Sequence, residues 1–179
     1  MAEPVEPEVS PLESRRREIV LDIVLTWASI DVSLGYFAAG FFDDERIYDV
    51  AEIMETKRAS TKLHDIIQLL KTIPDPAAAA EFATALICSK KNLKKYGKCR
   101  NHFAHSKCLG FYTDESSSEG FIFLKFENVG SGGLAQCKIS VPYLKVVFEW
   151  GKQFDTWLAA RIYEAKHLHS GNSSSAQNV

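Results

Sequence analysis

Long apolar runs are missing from this sequence, and none approaches the roughly 18 consecutive residues that a membrane-spanning helix needs. The first ten residues are acidic and contain proline, so they lack the apolar core of a secretory signal. Without such a signal, the four cysteines are expected to be free thiols in a reducing compartment. These absences predict a cytoplasmic protein with no membrane partner.

Acidic residues are also missing from one long stretch. Between Phe82 and Lys107 there are seven lysines or arginines and no aspartate or glutamate, although the whole chain carries a net charge of −2. The positive charge is therefore local, and a local cationic surface can bind a phosphate chain even when the net charge is negative. The alternative is an exposed helix face that only contacts water. The lysines expected to contact a phosphate chain are Lys94, Lys95, Lys98 and Lys107.

The remaining composition is that of a globular protein, with 46% hydrophobic and 25% charged residues. Apolar residues recur every three or four positions along most of the chain, which predicts amphipathic helices. From about residue 108 to 141 the pattern changes to short alternating stretches separated by turn residues, which predicts a β meander. We therefore expect a mainly α fold, a bundle of about five helices with a small antiparallel β insertion before the last long helix.

The predicted domain covers residues 10–168, and the polar tails 1–9 and 169–179 are expected to be disordered. The first and last helices should be the longest and form the frame of the bundle. Gly97 lies within a helical pattern that begins near Pro76. Because glycine costs helix stability, the helix is expected to kink or break there.

Reactive side chains are concentrated between Cys99 and Cys108. Cys99, His102, His105 and Cys108 are spaced by three, and all four are zinc-ligand types. Each such step rotates a helical position by about −60°, so Cys108 would point away from Cys99 and one ion would not reach all four. A cysteine nucleophile would have basic neighbours, but nothing in the sequence supplies the ordered acid of a triad. Neither a metal nor another cofactor is therefore predicted.

Phosphate chemistry suits the same stretch better. Arg100 offers a planar fork of donors that matches phosphate oxygens, and histidines such as His105 exchange protons near neutral pH. Asn101 lies four residues before His105, so the two share a helix face. Cleavage of RNA through its own 2′-hydroxyl needs a base, an acid and positive charge beside the phosphorus, and these groups supply them without a metal.

Helical geometry complicates this hypothesis. Five residues on a straight helix turn about 500°, which places Arg100 and His105 about 140° apart. One phosphate would then not be held tightly by both side chains. Either the helix is distorted near Gly97, or a second copy of the chain brings its own motif opposite, as a two-fold dimer would.

The order Arg100, polar Asn101, three residues and His105 resembles the signature of the HEPN superfamily. A helical bundle with this motif on a late helix is similar as well. Two further features are similar to HEPN-like proteins from bacteria: Trp27 and Asp31 on the first helix, and the pattern Ser60, Lys62, Leu63. The resemblance in fold spans about residues 11–168.

The resemblance implies a metal-independent endoribonuclease that acts as a homodimer on RNA and leaves a 2′,3′-cyclic phosphate and a 5′-hydroxyl. Arg100 would stabilise the phosphate, Asn101 would orient it and His105 would act as acid and base. His102 would be a supporting phosphate contact. Members of the superfamily are common in toxin–antitoxin and defence systems, which implies an antitoxin or another protein partner. The alternative is a non-catalytic HEPN-like module that binds or assembles with protein or nucleic-acid partners.

Overall fold

The computed structural model describes residues 11–41, 46–73, 76–126 and 133–170. These described residues are mainly α, as predicted, and form five helices and a three-stranded antiparallel sheet before the last helix. In chain order the elements are α1 (Pro11–Ala39), α2 (Ile47–Glu55), α3 (Ala59–Leu70), α4 (Pro76–His105), β1 (Lys107–Thr113), β2 (Glu119–Phe126), β3 (Leu134–Ser140) and α5 (Val141–Ser170). The predicted tail 1–9 lies outside the described residues. So does the second tail from 171 onward, whereas positions 169 and 170 belong to α5.

Helices α1 and α5 form the most extensive helix pair, as expected for the frame of the bundle. Helix α4 is as long as α5, at 30 residues, which was not expected. The paired helices approach closely at Gly151, where a Cβ atom would lie 2.8 Å from the Cγ2 of Thr26. Beside this point, the hydroxyls of Ser29 and Ser33 donate to the Asp155 carboxylate at 2.5 and 2.7 Å. The pair is thus held by a close backbone approach and by two polar links.

Helix α1 presents two apolar faces. Its inner stripe is buried in the core and consists of Ile23, Trp27, Ile30, Leu34 and Phe37. Its outer stripe is more than half exposed and consists of Leu21, Leu25, Val32 and Tyr36. By length and composition alone the helix could cross a membrane, since its mean hydropathy reaches 1.5 over 18 residues, of which 28% are buried. Asp22 and Asp31 interrupt this helix, so it contains no uninterrupted apolar run of that length. A core helix of a globular protein passes the same test.

A buried ion pair connects α1 to α3. The Nζ atom of Lys62 donates to the Oδ2 of Asp31 at 2.9 Å and to the backbone carbonyl of the same residue at 2.9 Å. Lys62 is 1% exposed, whereas the Asp31 side chain is 40% exposed. Two residues that were singled out separately in the sequence are therefore partners, and one of them is a cation inside the core.

Helix α4 runs through Gly97 without a break, so the expectation of a break there was wrong. A Cβ atom at Gly97 would lie 3.2 Å from the Nε1 of Trp27. The glycine therefore lets α4 approach the indole of α1 closely. The helix begins at Pro76, a residue suited to the first helical position, and continues through alanines with high helix propensity.

The sheet has the strand order β1-β2-β3. Its two antiparallel pairings place Phe121 opposite Phe111 on one side and opposite Ile139 on the other. Phe121 and Phe123 are buried, and both pack against Phe103 near the end of α4. The β insertion therefore covers the end of the helix that carries the motif.

Candidate active site at the end of helix α4

The motif occupies the last turns of α4, directly before the sheet. The helix ends at His105, the backbone N–H of Ser106 donates to the carbonyl of His102 at 3.0 Å, and β1 begins at Lys107. Only one residue therefore separates the helix from the strand. A short connection of this kind leaves little freedom for the side chains that precede it.

Arg100, Asn101 and His105 form one cluster within a single chain. The Nη1 of Arg100 lies 3.3 Å from the Oδ1 of Asn101 and 3.4 Å from the Nε2 of His105. From their separation on the helix we expected that Arg100 and His105 would not hold one phosphate tightly, yet their side chains contact each other. Their positions on the helix differ by about 140°, but an arginine side chain is long enough to cross that distance. Neither a distorted helix nor a second subunit is needed to bring them together.

The contact limits the part that the Nε2 of His105 can take in a hydrogen bond. A guanidinium has donors and no acceptor, so a hydrogen bond from Arg100 requires a lone pair on the Nε2 of His105. The proton of a neutral ring then lies on Nδ1. A doubly protonated ring would offer only donors and a like charge. A hydrogen bond at this contact would therefore hold the Nε2 lone pair of His105 beside the guanidinium.

The cluster is accessible from solvent. Asn101 and His105 are exposed, and Arg100 is half-buried. Lys94, Lys98, Asn101 and His105 follow one another at intervals of four, three and four residues, and therefore share one stripe of α4. A phosphodiester chain that lies along this stripe would meet two lysines before it reaches the motif.

His102 lies next to this stripe and contacts the sheet. Its ring is half-buried, with the ring centroid 5.6 Å from that of Phe123, and its Nδ1 lies 3.4 Å from the Oγ of Ser106. The neighbouring Phe103 meets Phe121 and Phe123 edge to face, with centroid distances of 5.3 and 5.0 Å. The structure therefore packs the ring of His102 against the sheet.

Sequence reasoning did not predict that strand β2 supports the end of helix α4. The two buried phenylalanines of β2, Phe121 and Phe123, contact the end of α4 through His102 and Phe103. The available signal was an alternating Phe-x-Phe pair in β2, preceded by an aromatic residue inside the motif itself. That pattern indicates a buried strand face, but it does not tell which helix the face covers.

The four lysines predicted to bind phosphate are all exposed. They do not form one group. Lys94 and Lys98 share the motif stripe, whereas Lys107 is the first residue of β1. Lys95 points towards aromatic side chains, with its Nζ 5.2 Å from the ring centroid of Tyr96 and 5.6 Å from that of Tyr143.

The cysteines of the motif differ in environment. Cys99 is buried, and this burial raises the pKa of its thiol above the ordinary value, although a hydrogen bond with Tyr143 opposes the shift. Cys108 is exposed, and its Sγ contacts the carbonyl of Gly110 at 3.6 Å. Among residues 11–41, 46–73, 76–126 and 133–170, no three histidine, cysteine or acidic side chains are grouped to hold a metal ion.

Comparison with known proteins finds no matching family model, no matching curated protein and no matching solved structure. The resemblance to the HEPN superfamily therefore depends on the motif residues and stays a prediction.

Proposed function

We propose that this protein is a metal-independent endoribonuclease that cleaves RNA with Arg100, Asn101 and His105. One observation carries the proposal: the Nη1 of Arg100 lies 3.4 Å from the Nε2 of His105, in an exposed cluster at the end of a basic helix. The contact places a permanent cation beside a ring nitrogen that can act as a base. RNA cleavage through the 2′-hydroxyl requires this combination of a base and a positive charge.

The reaction is an internal transfer at phosphorus. The Nε2 of His105 takes the proton of the 2′-hydroxyl, and the 2′-oxygen attacks phosphorus as the bond to the 5′-oxygen breaks. Arg100 turns its donors from His105 to the phosphoryl oxygens, where negative charge accumulates. Asn101, which now accepts from Arg100, holds the guanidinium in position. The products are a 2′,3′-cyclic phosphate and a 5′-hydroxyl.

The departing 5′-oxygen needs a proton, and the motif of one chain contains one exposed histidine at the cluster. A two-fold homodimer would place a second His105 opposite the first, since such an interface sets the same surface against itself. We therefore include a homodimer in the proposal, for a different reason than the sequence suggested. The second subunit would supply the general acid, His105, and is not needed to complete the binding of the phosphate.

The test is cleavage of a fluorogenic single-stranded RNA in the presence of EDTA. His105→Ala should lower the rate by roughly 10²-fold or more, the usual size of an acid–base contribution. Arg100→Ala should lower it by roughly 10²- to 10³-fold, as expected when a donor to a developing oxyanion is removed. His64→Ala is the matched control, because His64 is an exposed histidine on another helix, and its rate should equal that of the wild type.

Two results would contradict the nuclease: a wild type that does not cleave, or a His105→Ala variant that cleaves equally fast. Replacing the 2′-hydroxyl at the cut position by hydrogen should abolish cleavage, since the nucleophile is then missing. A wild type that binds RNA without cutting it would support the non-catalytic module instead. Sedimentation velocity at micromolar concentration tests the homodimer, and a strict monomer would remove the second subunit from the mechanism.

A further inference from the structure

A groove of about 390 Å³ lies beside the candidate active site. Helix α4 forms one side of it, and β3 with the first turn of α5 forms the other. Its lining residues are Lys95, Lys98, Cys99, His102, Tyr112, Cys137, Lys138, Ile139, Ser140 and Tyr143. Lys98 shares the motif stripe of α4 with Asn101 and His105, so the groove borders that stripe, although none of the three cluster residues lines it.

The charge of the groove has one sign. Lys95, Lys98 and Lys138 line it, and among the residues that the structure describes no aspartate or glutamate does. Within the described ranges, none of the three lysines forms an ion pair. Their positive charge is therefore available to an anionic ligand. Lys138 belongs to the β insertion, and the resemblance of the motif to the HEPN signature assigns no role to that insertion.

The groove also contains aromatic surface that the fold makes room for. Tyr112 pairs with Gly120 across β1 and β2, and a Cβ atom at Gly120 would lie 2.4 Å from the tyrosine ring. The ring can lie against the strand only because position 120 has no side chain. The Nζ of Lys138 lies 5.3 Å from the centroid of this ring, and that of Lys95 lies 5.6 Å from the centroid of Tyr143.

Each tyrosine is thus paired with a lysine. Burial and the neighbouring Cys99 raise the pKa of the Tyr143 phenol, so it stays protonated and can donate a hydrogen bond. Aromatic faces combined with cations are the composition of surfaces that bind single-stranded nucleic acid, where bases stack on rings and phosphates meet lysines. The volume is within the range of small-molecule sites, which suits one nucleotide rather than a duplex.

We infer that this groove binds a nucleotide of single-stranded RNA that flanks the phosphate at Arg100, with Lys138 contacting a phosphate and Tyr112 contacting a base. The inference is based on the proposed nuclease function and adds to it a substrate class and a second binding site. It assigns a role to the β insertion, which supports the motif helix on one side and supplies part of the RNA-binding surface.

The experiment measures binding without cleavage. A fluorescein-labelled 2′-O-methyl decanucleotide cannot be cut through its 2′-oxygen, and its affinity follows from fluorescence anisotropy at several salt concentrations. Lys138→Glu should weaken binding at least tenfold, and Lys138→Gln should lower the salt dependence by about one phosphate contact. Tyr112→Leu should weaken binding roughly tenfold through lost stacking, whereas Tyr112→Phe keeps the ring and should bind as the wild type does.

Lys71→Glu is the matched control, because Lys71 is an exposed lysine outside the groove and carries the same charge change. It should alter the affinity less than twofold. The inference is overturned if the groove variants bind as the wild type does, or if Lys71→Glu weakens binding as much as Lys138→Glu. It is also overturned if a polyglutamate peptide competes as well as unlabelled RNA, since the groove would then accept any acidic chain. Circular dichroism and thermal melting identify variants that fail to fold.

The two proposals can fail separately. If RNA binding depends on the groove residues but ordinary RNA is not cleaved, the groove is an RNA-binding site and the proposed nuclease function is wrong. If cleavage depends on His105 but the groove variants bind and cleave RNA as the wild type does, the nuclease function is supported and the proposed role of the groove is wrong.

Discussion

The ion pair between α1 and α3 predicts which of two substitutions lowers the free energy of unfolding more. Lys62 is almost completely buried, whereas the side chain of its partner Asp31 is 40% exposed. Removing either residue breaks the same 2.9 Å contact. The consequences should differ, because a different charge is left behind in each case.

Asp31→Ala leaves the Lys62 ammonium in the core with only the backbone carbonyl of residue 31 as its observed acceptor. An unpaired buried charge costs about 3–5 kcal/mol, and we expect a loss of about 3 kcal/mol in the free energy of unfolding. Lys62→Met leaves a carboxylate that water already reaches, and methionine fills a similar volume. Its cost should be about 1 kcal/mol or less.

The assay is urea denaturation followed by far-UV circular dichroism, with the double variant completing a cycle. Asp31→Ala combined with Lys62→Met removes both charges, so it should be more stable than Asp31→Ala alone by about 2 kcal/mol. Equal costs for the two single variants, or a double variant whose cost is their sum, would refute the reasoning. Lys71→Met serves as the control for replacing an exposed lysine and should be nearly neutral.

Two further predictions concern the helix that carries the motif. Phe103→Ala removes both edge contacts to Phe121 and Phe123. Because Phe103 is only partly buried, the substitution should lower the free energy of unfolding by about 2 kcal/mol, and it should also lower RNA cleavage. Phe111→Ala, at an exposed position, is the control and should cost less than about 1 kcal/mol in denaturation assays. Burial raises the pKa of the Cys99 thiol above 9.0, so the unfolded chain loses this proton first. The contribution of the protonated Cys99 thiol to stability is complete below pH 9 and is lost as the pH rises further. The urea midpoint should therefore fall in alkaline solution for the wild type and fall less for Cys99→Ala. An equal fall of the midpoint with pH in both proteins would contradict this role of Cys99.

Much of the fold was predictable because its signals are local. The spacing of apolar residues on α1 and α4 reports which side of each helix is buried, and alternation around Phe121 and Phe123 reports a strand with a buried face. These patterns depend on residues within one or two turns of each other. The five helices and the position of the sheet before α5 follow from them. The three motif residues were also visible, since they lie within six positions of one another.

The arrangement of the site was not predictable in the same way. A helical wheel shows the angle at which Arg100 leaves the helix, but not that its side chain reaches His105. The buried face of β2 gave no indication that it holds the end of α4, and nothing near Lys138 in the chain pointed to Tyr112.

By itself, then, the sequence determined the types of the elements, their order and the residues with reactive side chains, since periodicity and side-chain chemistry are properties of neighbouring positions. Tertiary structure alone decided that Gly97 admits Trp27 rather than breaking a helix, and that Lys62 pairs with Asp31. It also decided that the β insertion forms a cationic, aromatic groove beside the motif. These outcomes depend on contacts between residues that are distant in the chain, and such contacts are set by how the helices and the sheet pack against one another.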